Sequence, residues 1–168
     1  MSMSENVAAQ SGAMGAVARF TEGVFGLIPM SLTTLVLRIA LALPFWRAGM
    51  TDWDGFLKVS FGAMQRFYDF RLHIFGAEIP YPAPELFATL SAVAEVTLPV
   101  LLIFGVATRY TALALLGMTG LIQLTQPDGW ANFHLYWASL ALAIMTLGPG
   151  KIAVDYVVGL DRSARGVR

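Results

Sequence analysis

The chain has 168 residues, 57% of them hydrophobic and only 13% charged, with no net charge; its mean hydropathy is +0.64 and its pI about 6.7. A soluble domain is nearer half apolar and a quarter charged, so this balance argues for a one-domain membrane protein and, lacking a basic excess, against a nucleic-acid surface. With no cysteine the chain forms no disulfide, does no thiol redox chemistry and holds no Cys-ligated zinc or iron–sulfur cluster, and two histidines, His73 and His134, are too few for a multi-histidine metal site.

Residues 1–13 are small and polar and read as a disordered tail. Residues 14–30 mix apolar side chains with Arg19, Glu22 and Pro29. They lack a basic region ahead of a clean apolar core, so an amphipathic helix at the membrane surface fits better than a signal peptide. The first span runs from about Ser31 to Met50, with Arg38 near its centre, Pro44 close to its end and Trp46 with Arg47 at the far interface.

A loop of about 35 residues follows, Thr51 to Glu85, too long for a plain connection. Phe61, Met64, Phe67, Tyr68 and Leu72 recur in it at helical spacing and predict a short amphipathic helix. Asp52-Trp53-Asp54-Gly55-Phe56 lacks the ligand spacing and closing Glu of a calcium loop and reads as a solvated helix start. The prolines at 80, 82 and 84 set the approach to the second span.

That second span, Leu86 to Phe104, is nineteen almost unbroken apolar residues with one carboxylate, Glu95, at its middle. At ~1.5 Å per residue such a run crosses the roughly 30 Å hydrocarbon layer of a bilayer. A carboxylate at that depth costs at least ~2.5 kcal/mol, so it must be neutralised, paired or turned to the protein interior. A tight connection, Gly105 to Arg109, leads to a third span, about Tyr110 to Gln126, in which Gly117 and Gly120 suit close helix approach. Pro127-Asp128-Gly129 is a turn, and a fourth span runs from about Trp130 to Leu147 before Gly148-Pro149-Gly150 stops it. Arg19, Arg109, Lys151, Arg162, Arg165 and Arg168 lie on one side, against Arg47, Lys58, Arg66 and Arg71 on the other. The positive-inside rule then puts both termini in the cytoplasm of a bacterial inner membrane. The resulting organisation is an N-terminal tail and interfacial segment over 1–30, a membrane bundle over 31–150 and a cytoplasmic tail over 151–168.

Two constellations carry candidate chemistry. Arg38 and Glu95 fall near the midpoints of adjacent antiparallel spans and are expected to pair, because separation leaves each charge in hydrocarbon. Such a pair is either a proton-handling, quinone-facing site or a clasp that fixes helix register. Near the outer end of spans three and four, Gln123, Gln126, Asp128, Asn132 and His134 lie among Trp130, Tyr136 and Trp137. They form either a shallow pocket whose donors meet a quinone carbonyl or small oxyanion, or an ordinary interfacial belt. His134 as a haem ligand lacks a second axial partner.

Four spans with an Arg in the first, Ala94-Glu95 in the second, Gly105-Val-Ala-Thr-Arg109, and Gly148-Pro149-Gly150 followed by Asp155 resemble the DoxX-like family over about residues 35–160. The resemblance implies a small four-helix inner-membrane protein. Relatives include the membrane subunit of an archaeal thiosulfate:quinone oxidoreductase and a mycobacterial protein associated with a sulfurtransferase and superoxide dismutase. The extended N-terminus and the long aromatic first loop depart from a simple member and fit docking surfaces. The expected fold is an all-α transmembrane four-helix bundle with an amphipathic N-terminal segment and a structured first loop. The expected function is an integral membrane component of a redox system passing electrons from a sulfur compound or partner protein to ubiquinone. Arg38 and Glu95 would manage proton or charge, and Gln123, Asn132 and His134 would orient a polar ligand. The alternative is a non-catalytic scaffold or accessory subunit of a larger complex. Expected partners are membrane lipids and either a partner protein or a second copy of the chain. A solute carrier is disfavoured by four spans without an internal repeat.

Overall fold

The computed structural model describes residues 15, 19–23 and 25–160. The two tails, 1–13 and 161–168, lie outside the described residues. Of the expected interfacial helix, residues 19–23, 25 and 26 are helical, and Phe20 and Phe25 are exposed.

The described chain is mostly helical. Helix α1 spans Met30–Met50, α2 Phe61–Asp69, α3 Pro84–Phe104, α4 Thr108–Thr125, α5 Leu135–Leu147 and α6 Val154–Val157. Strands β1, Arg71–Ile74, and β2, Ala77–Pro80, separate α2 from α3. Local sequence sets the boundaries. Proline in the first turn opens α3, and Gly105 (φ 72°) closes it, its N–H bonding back to the last turn, because glycine takes a left-handed conformation without a Cβ clash. Between α4 and α5 a 3₁₀ turn, Pro127–Gly129, runs into a π turn, Trp130–His134.

Helix α1 packs most extensively on α3, and α4 on α5; α1 also packs on α5, and α3 meets α4 less closely. The shared core is Leu41, Ala42 and Phe45 of α1, Leu102 of α3, Ala112 and Leu115 of α4, and Ala141 and Ile144 of α5. Gly49 makes the close α1–α3 approach: a methyl there would sit 2.8 Å from the Glu95 carbonyl carbon. Gly117 and Gly120 do not serve this role, since nothing lies within 4 Å of where their Cβ atoms would be. They sit on open faces of α4, so residue size alone misidentified the contact.

The long loop folds as an insert over one end of the bundle. Its amphipathic helix forms, capped by Ser60, whose Oγ accepts from the Ala63 N–H at 3.1 Å. The segment ahead of it is no solvated helix start: Trp53 bridges to Val59, and Asp52 is buried. After α2 the chain makes an antiparallel hairpin pairing Arg71 with Pro80 and Ile74 with Ala77. Phe75 and Gly76 turn it, both at positive φ, as a two-residue hairpin loop requires.

By length and composition, α1 and α3 are apolar enough to cross a membrane.

Candidate functional site

The expected Arg38–Glu95 pair does not form. Arg38 is fully buried and donates through Nη1 to the carbonyls of Ile103 at 2.8 Å and Leu102 at 3.3 Å, and through Nη2 to that of Ile152. The opposite charge that acts on it is Asp155. Glu95 instead lies beside Gly49, eleven residues further along α1, or about 16 Å. The cause is stagger. Arg38 stands eight residues from the start of α1 and Glu95 nine from the end of α3, so flush helices would bring them level. The two helices are instead offset by on the order of 10 Å. The start of α1 overhangs one end, and the start of α3 rises into the insert at the other.

Around Arg38 the four long helices are tied together. Asp155 accepts from the Ala107 and Thr108 N–H groups and the Thr108 hydroxyl, each at 2.7 Å, and so caps α4 from a distant segment. Thr34 donates to the Pro149 carbonyl at 3.4 Å and Arg109 to that of Met145. At Gly105 an added methyl would strike Arg38 and Ala153, and at Gly150 the Thr34 hydroxyl. The short motifs that stood apart in sequence therefore meet at one node.

Glu95 lies in different surroundings. It is only 8% exposed; its Oε1 accepts from the Ser91 hydroxyl at 2.7 Å, while its Oε2, like Arg38 Nε and Trp53 Nε1, has no partner among the described residues. It lines a cavity of about 400 Å³ between α3 and α4, beneath the insert. Phe67, Phe70, Tyr81, Phe87 and Trp137 form much of the wall, and Asp52 and Arg66 line the cavity as well. Arg66 pairs with Asp52, whose side chain is buried. A buried hydrogen-bonding atom without a partner is costly unless a ligand or water meets it, so Oε2 is a position open to one. Outside the helical core, Tyr68 donates to Glu85 at 2.9 Å, tying α2 to the start of α3; that bond raises the Tyr68 phenol pKa above its ordinary value.

A broader depression of about 890 Å³ adjoins the cavity and shares Ile122, Thr125, Gln126 and Trp137 with it. His134 lines it, and its Nδ1 is 2.6 Å from Gln123 Oε1. Gln123 Nε2 donates to the Pro127 carbonyl at 3.1 Å. A carbonyl only accepts, so the amide orientation is fixed, His134 carries its proton on Nδ1, and Nε2 presents a lone pair. Gly129 lets the imidazole lie against the backbone; a methyl there would come within 2.6 Å of its Cε1. His134 and Gln123 are thus brought together, whereas Asn132 is exposed and lines neither cavity. Arg66 and Ser91 join Glu95 in the cavity without having been singled out, and Asp52 joins it although it read as part of a solvated helix start. Ser91 is one helical turn before Glu95 and was legible; Asp52 and Arg66 depend on how the insert folds.

A model of the DoxX family matches residues 33–127, more than half of the chain. The chain belongs to the DoxX family. The matched region contains Arg38, Asp52, Arg66, Glu95 and Thr108, while Asp155 and His134 lie beyond it. An uncharacterized protein of Haemophilus influenzae is 27% identical over 146 residues, covering 78% of this DoxX-family chain and 86% of its own length. No solved structure matches the chain.

Proposed function

We propose that this DoxX-family chain is a four-span membrane component of a redox system that receives a ubiquinone-type head group in the cavity beside Glu95. One observation carries the reading: a buried carboxyl oxygen without a partner points the chemistry into an aromatic-lined space. The donor set fits such a head group, because Oε2 donates to a carbonyl when the carboxyl is protonated and accepts from a hydroxyl when it is not. A bound quinone supplies the capacity to carry electrons and protons within the bilayer. Ser91 holds the Glu95 carboxyl through Oε1, leaving Oε2 to exchange the proton. The surrounding rings give the cavity a largely apolar wall that suits a flat ligand. Arg38 takes no part in this, and its role is to hold the bundle. At the neighbouring depression His134 Nε2 accepts a hydrogen bond, so it suits the donor group of a thiol or hydroxyl compound rather than a carbonyl.

Support for four spans comes from the outer surfaces. Leu32, Val36 and Leu43 of α1, Val93 and Leu101 of α3, Leu113 of α4, and Leu135 and Leu142 of α5 are all exposed. Polar Thr34, Arg38, Glu95, Thr111 and Thr119 are buried. That inversion suits hydrocarbon outside and polar contacts inside.

Quenching of tryptophan fluorescence by a short-chain ubiquinone tests the proposal, since Trp137 lines the cavity. Saturable quenching in the wild type, weakened in Glu95→Gln, is expected. No binding, together with unchanged activity of the Glu95→Gln variant in its assembled complex, would sink the reading.

The accessory-subunit reading keeps one observation in its favour. Phe56, Leu57, Phe61 and Phe75 of the insert are strongly exposed, Phe75 completely so at the hairpin tip. It predicts a copurifying partner that is lost when Phe56 and Phe75 are replaced by serine.

A further inference from the structure

We propose that Asp52, held by Arg66, is the proton doorway between Glu95 and water on the insert side of the membrane. The proposal rests on the reading of Glu95 as a proton-exchanging group.

The groups facing Glu95 are few. Backbone at Gly49 meets it from α1 and Ser91 bonds it from its own helix. Helix α4 offers apolar Met118 and Ile122 to the cavity, and α5 offers Trp137. The charges that act on it are Asp52, just past the end of α1, and Arg66 of α2. Arg38 is at the other end of the bundle. Asp52 and Arg66 straddle the cavity wall: the Asp52 side chain is 3% exposed and that of Arg66 46%. Arg66 and Thr51 both contact Oδ1 of Asp52, which leaves Oδ2 for exchange.

The other polar exit is closed by its own hydrogen bonds. Thr125 donates its one proton to the Leu121 carbonyl at 2.9 Å. The 2.6 Å contact between Tyr81 and Thr125 must therefore have Tyr81 as donor. That chain ends on a carbonyl, which cannot pass a proton onward. The Asp52 route has no such stop. A proton from insert-side water binds the Asp52 carboxylate; it then moves through cavity water to the Glu95 carboxylate, and Asp52 returns to its ionised form. Arg66 stays cationic throughout and is a positioning residue.

Infrared difference spectroscopy of the full-length protein in lipid nanodiscs follows this without any quinone. The Glu95 carboxyl stretch is the band missing from Glu95→Gln, and its deuterium-exchange rate after transfer to D₂O is read. Asp52→Asn is expected to slow exchange by at least ~10-fold, conservative beside the ~10²-fold or more that a positioned proton-transfer group contributes. Arg66→Gln should slow it similarly, Arg66→Lys should recover most of the rate, and Gln126→Leu at the other exit should leave it unchanged. Should Asp52→Asn fail to fold, the Arg66 pair decides, since Arg66 lies on a surface helix. Wild-type rates in both Asp52→Asn and Arg66→Gln, or no Glu95 carboxyl band at any pH, would overturn the doorway. Asp52-dependent exchange without quinone binding overturns only the ligand reading; quinone binding with Asp52-independent exchange overturns only the doorway.

Discussion

A guanidinium with no exposed surface needs partners for its donors, and Arg38 has them at Nη1 and Nη2 but none at Nε among the described residues. Arg38 meets three backbone carbonyls at the ends of α3 and before α6, where helix C-termini leave acceptors without partners. Removing it strands those carbonyls and leaves Asp155 without its counter-charge. Arg38→Met is expected to cost about 3–5 kcal/mol, the usual penalty for breaking a buried charged network. Arg38→Lys should recover only part, because one ammonium cannot reach all three acceptors. Asp155→Asn removes an acceptor from the α4 cap and should cost about 1–2 kcal/mol. The double variant Arg38→Met/Asp155→Asn should lose less than the sum of the two, since each single change has already disabled the shared node. Thermal denaturation of the detergent-solubilised protein reads all four, and quinone binding per folded molecule should be unaltered in each. Strict additivity would show that Arg38 and Asp155 act separately. The sequence marks both Arg38 and Glu95 as special, because an ionisable group within an apolar run has few places to go. It does not reveal their partners, since helix midpoints are counted from element ends while contacts depend on stagger.

At the scale of elements, that stagger creates the site. Where α3 rises past the end of α1, its first turns are covered by the insert, and the space between α3 and α4 stays open enough to form the cavity. The contact that holds this offset is Gly49 against the Glu95 backbone. Gly49→Ala should therefore force α1 and α3 apart at the level of Glu95. A destabilisation of about 1–3 kcal/mol is expected, as for overpacking in a tight core, with weaker quenching of Trp137 by a short-chain ubiquinone. Gly117→Ala, facing open space, should be neutral or slightly stabilising, because alanine favours the helix by about 1 kcal/mol. Equal effects at the two glycines would contradict the packing described. Apolar runs and proline or glycine punctuation made the long helices legible, and helical spacing over 61–69 made α2 so. The hairpin was missed because β1 and β2 have only four residues each, and their alternation is too short to outweigh the helical pattern running up to Leu72. Its Phe75-Gly76 turn also departs from the usual Asn-Gly signal. Without the hairpin and the buried Asp52, the insert's share of the site could not be read from the chain.

For the molecule as a whole, the two ends of the bundle have different tasks. One is knotted by Arg38, Thr108, Asp155 and the glycine turns, and the other is opened by the insert. Helix α4 links the two: Asp155 caps its start, and its last turn meets the hairpin, where His73 Nδ1 lies 3.1 Å from the Leu124 carbonyl. If α1 and α3 cross the bilayer, the four-span proposal has α4, which covers the same height, cross with them and α5 bring the chain back. The absence of native cysteine makes the consequence directly measurable, because one introduced thiol is the only target for a maleimide. Lys58→Cys on the insert and Asp128→Cys at the turn before α5 are both exposed. In spheroplasts each should react with a membrane-impermeant maleimide. Lys151→Cys, also exposed but at the knotted end, should react only after permeabilisation. Labelling of Lys58→Cys but not Asp128→Cys would leave α1 and α3 as spans and remove α4 and α5 from the membrane. The reverse pattern for Lys58→Cys and Lys151→Cys would invert the topology and turn the Asp52 doorway toward the cytoplasm. The side from which Glu95 takes its proton is thus fixed by the same experiment that counts the spans.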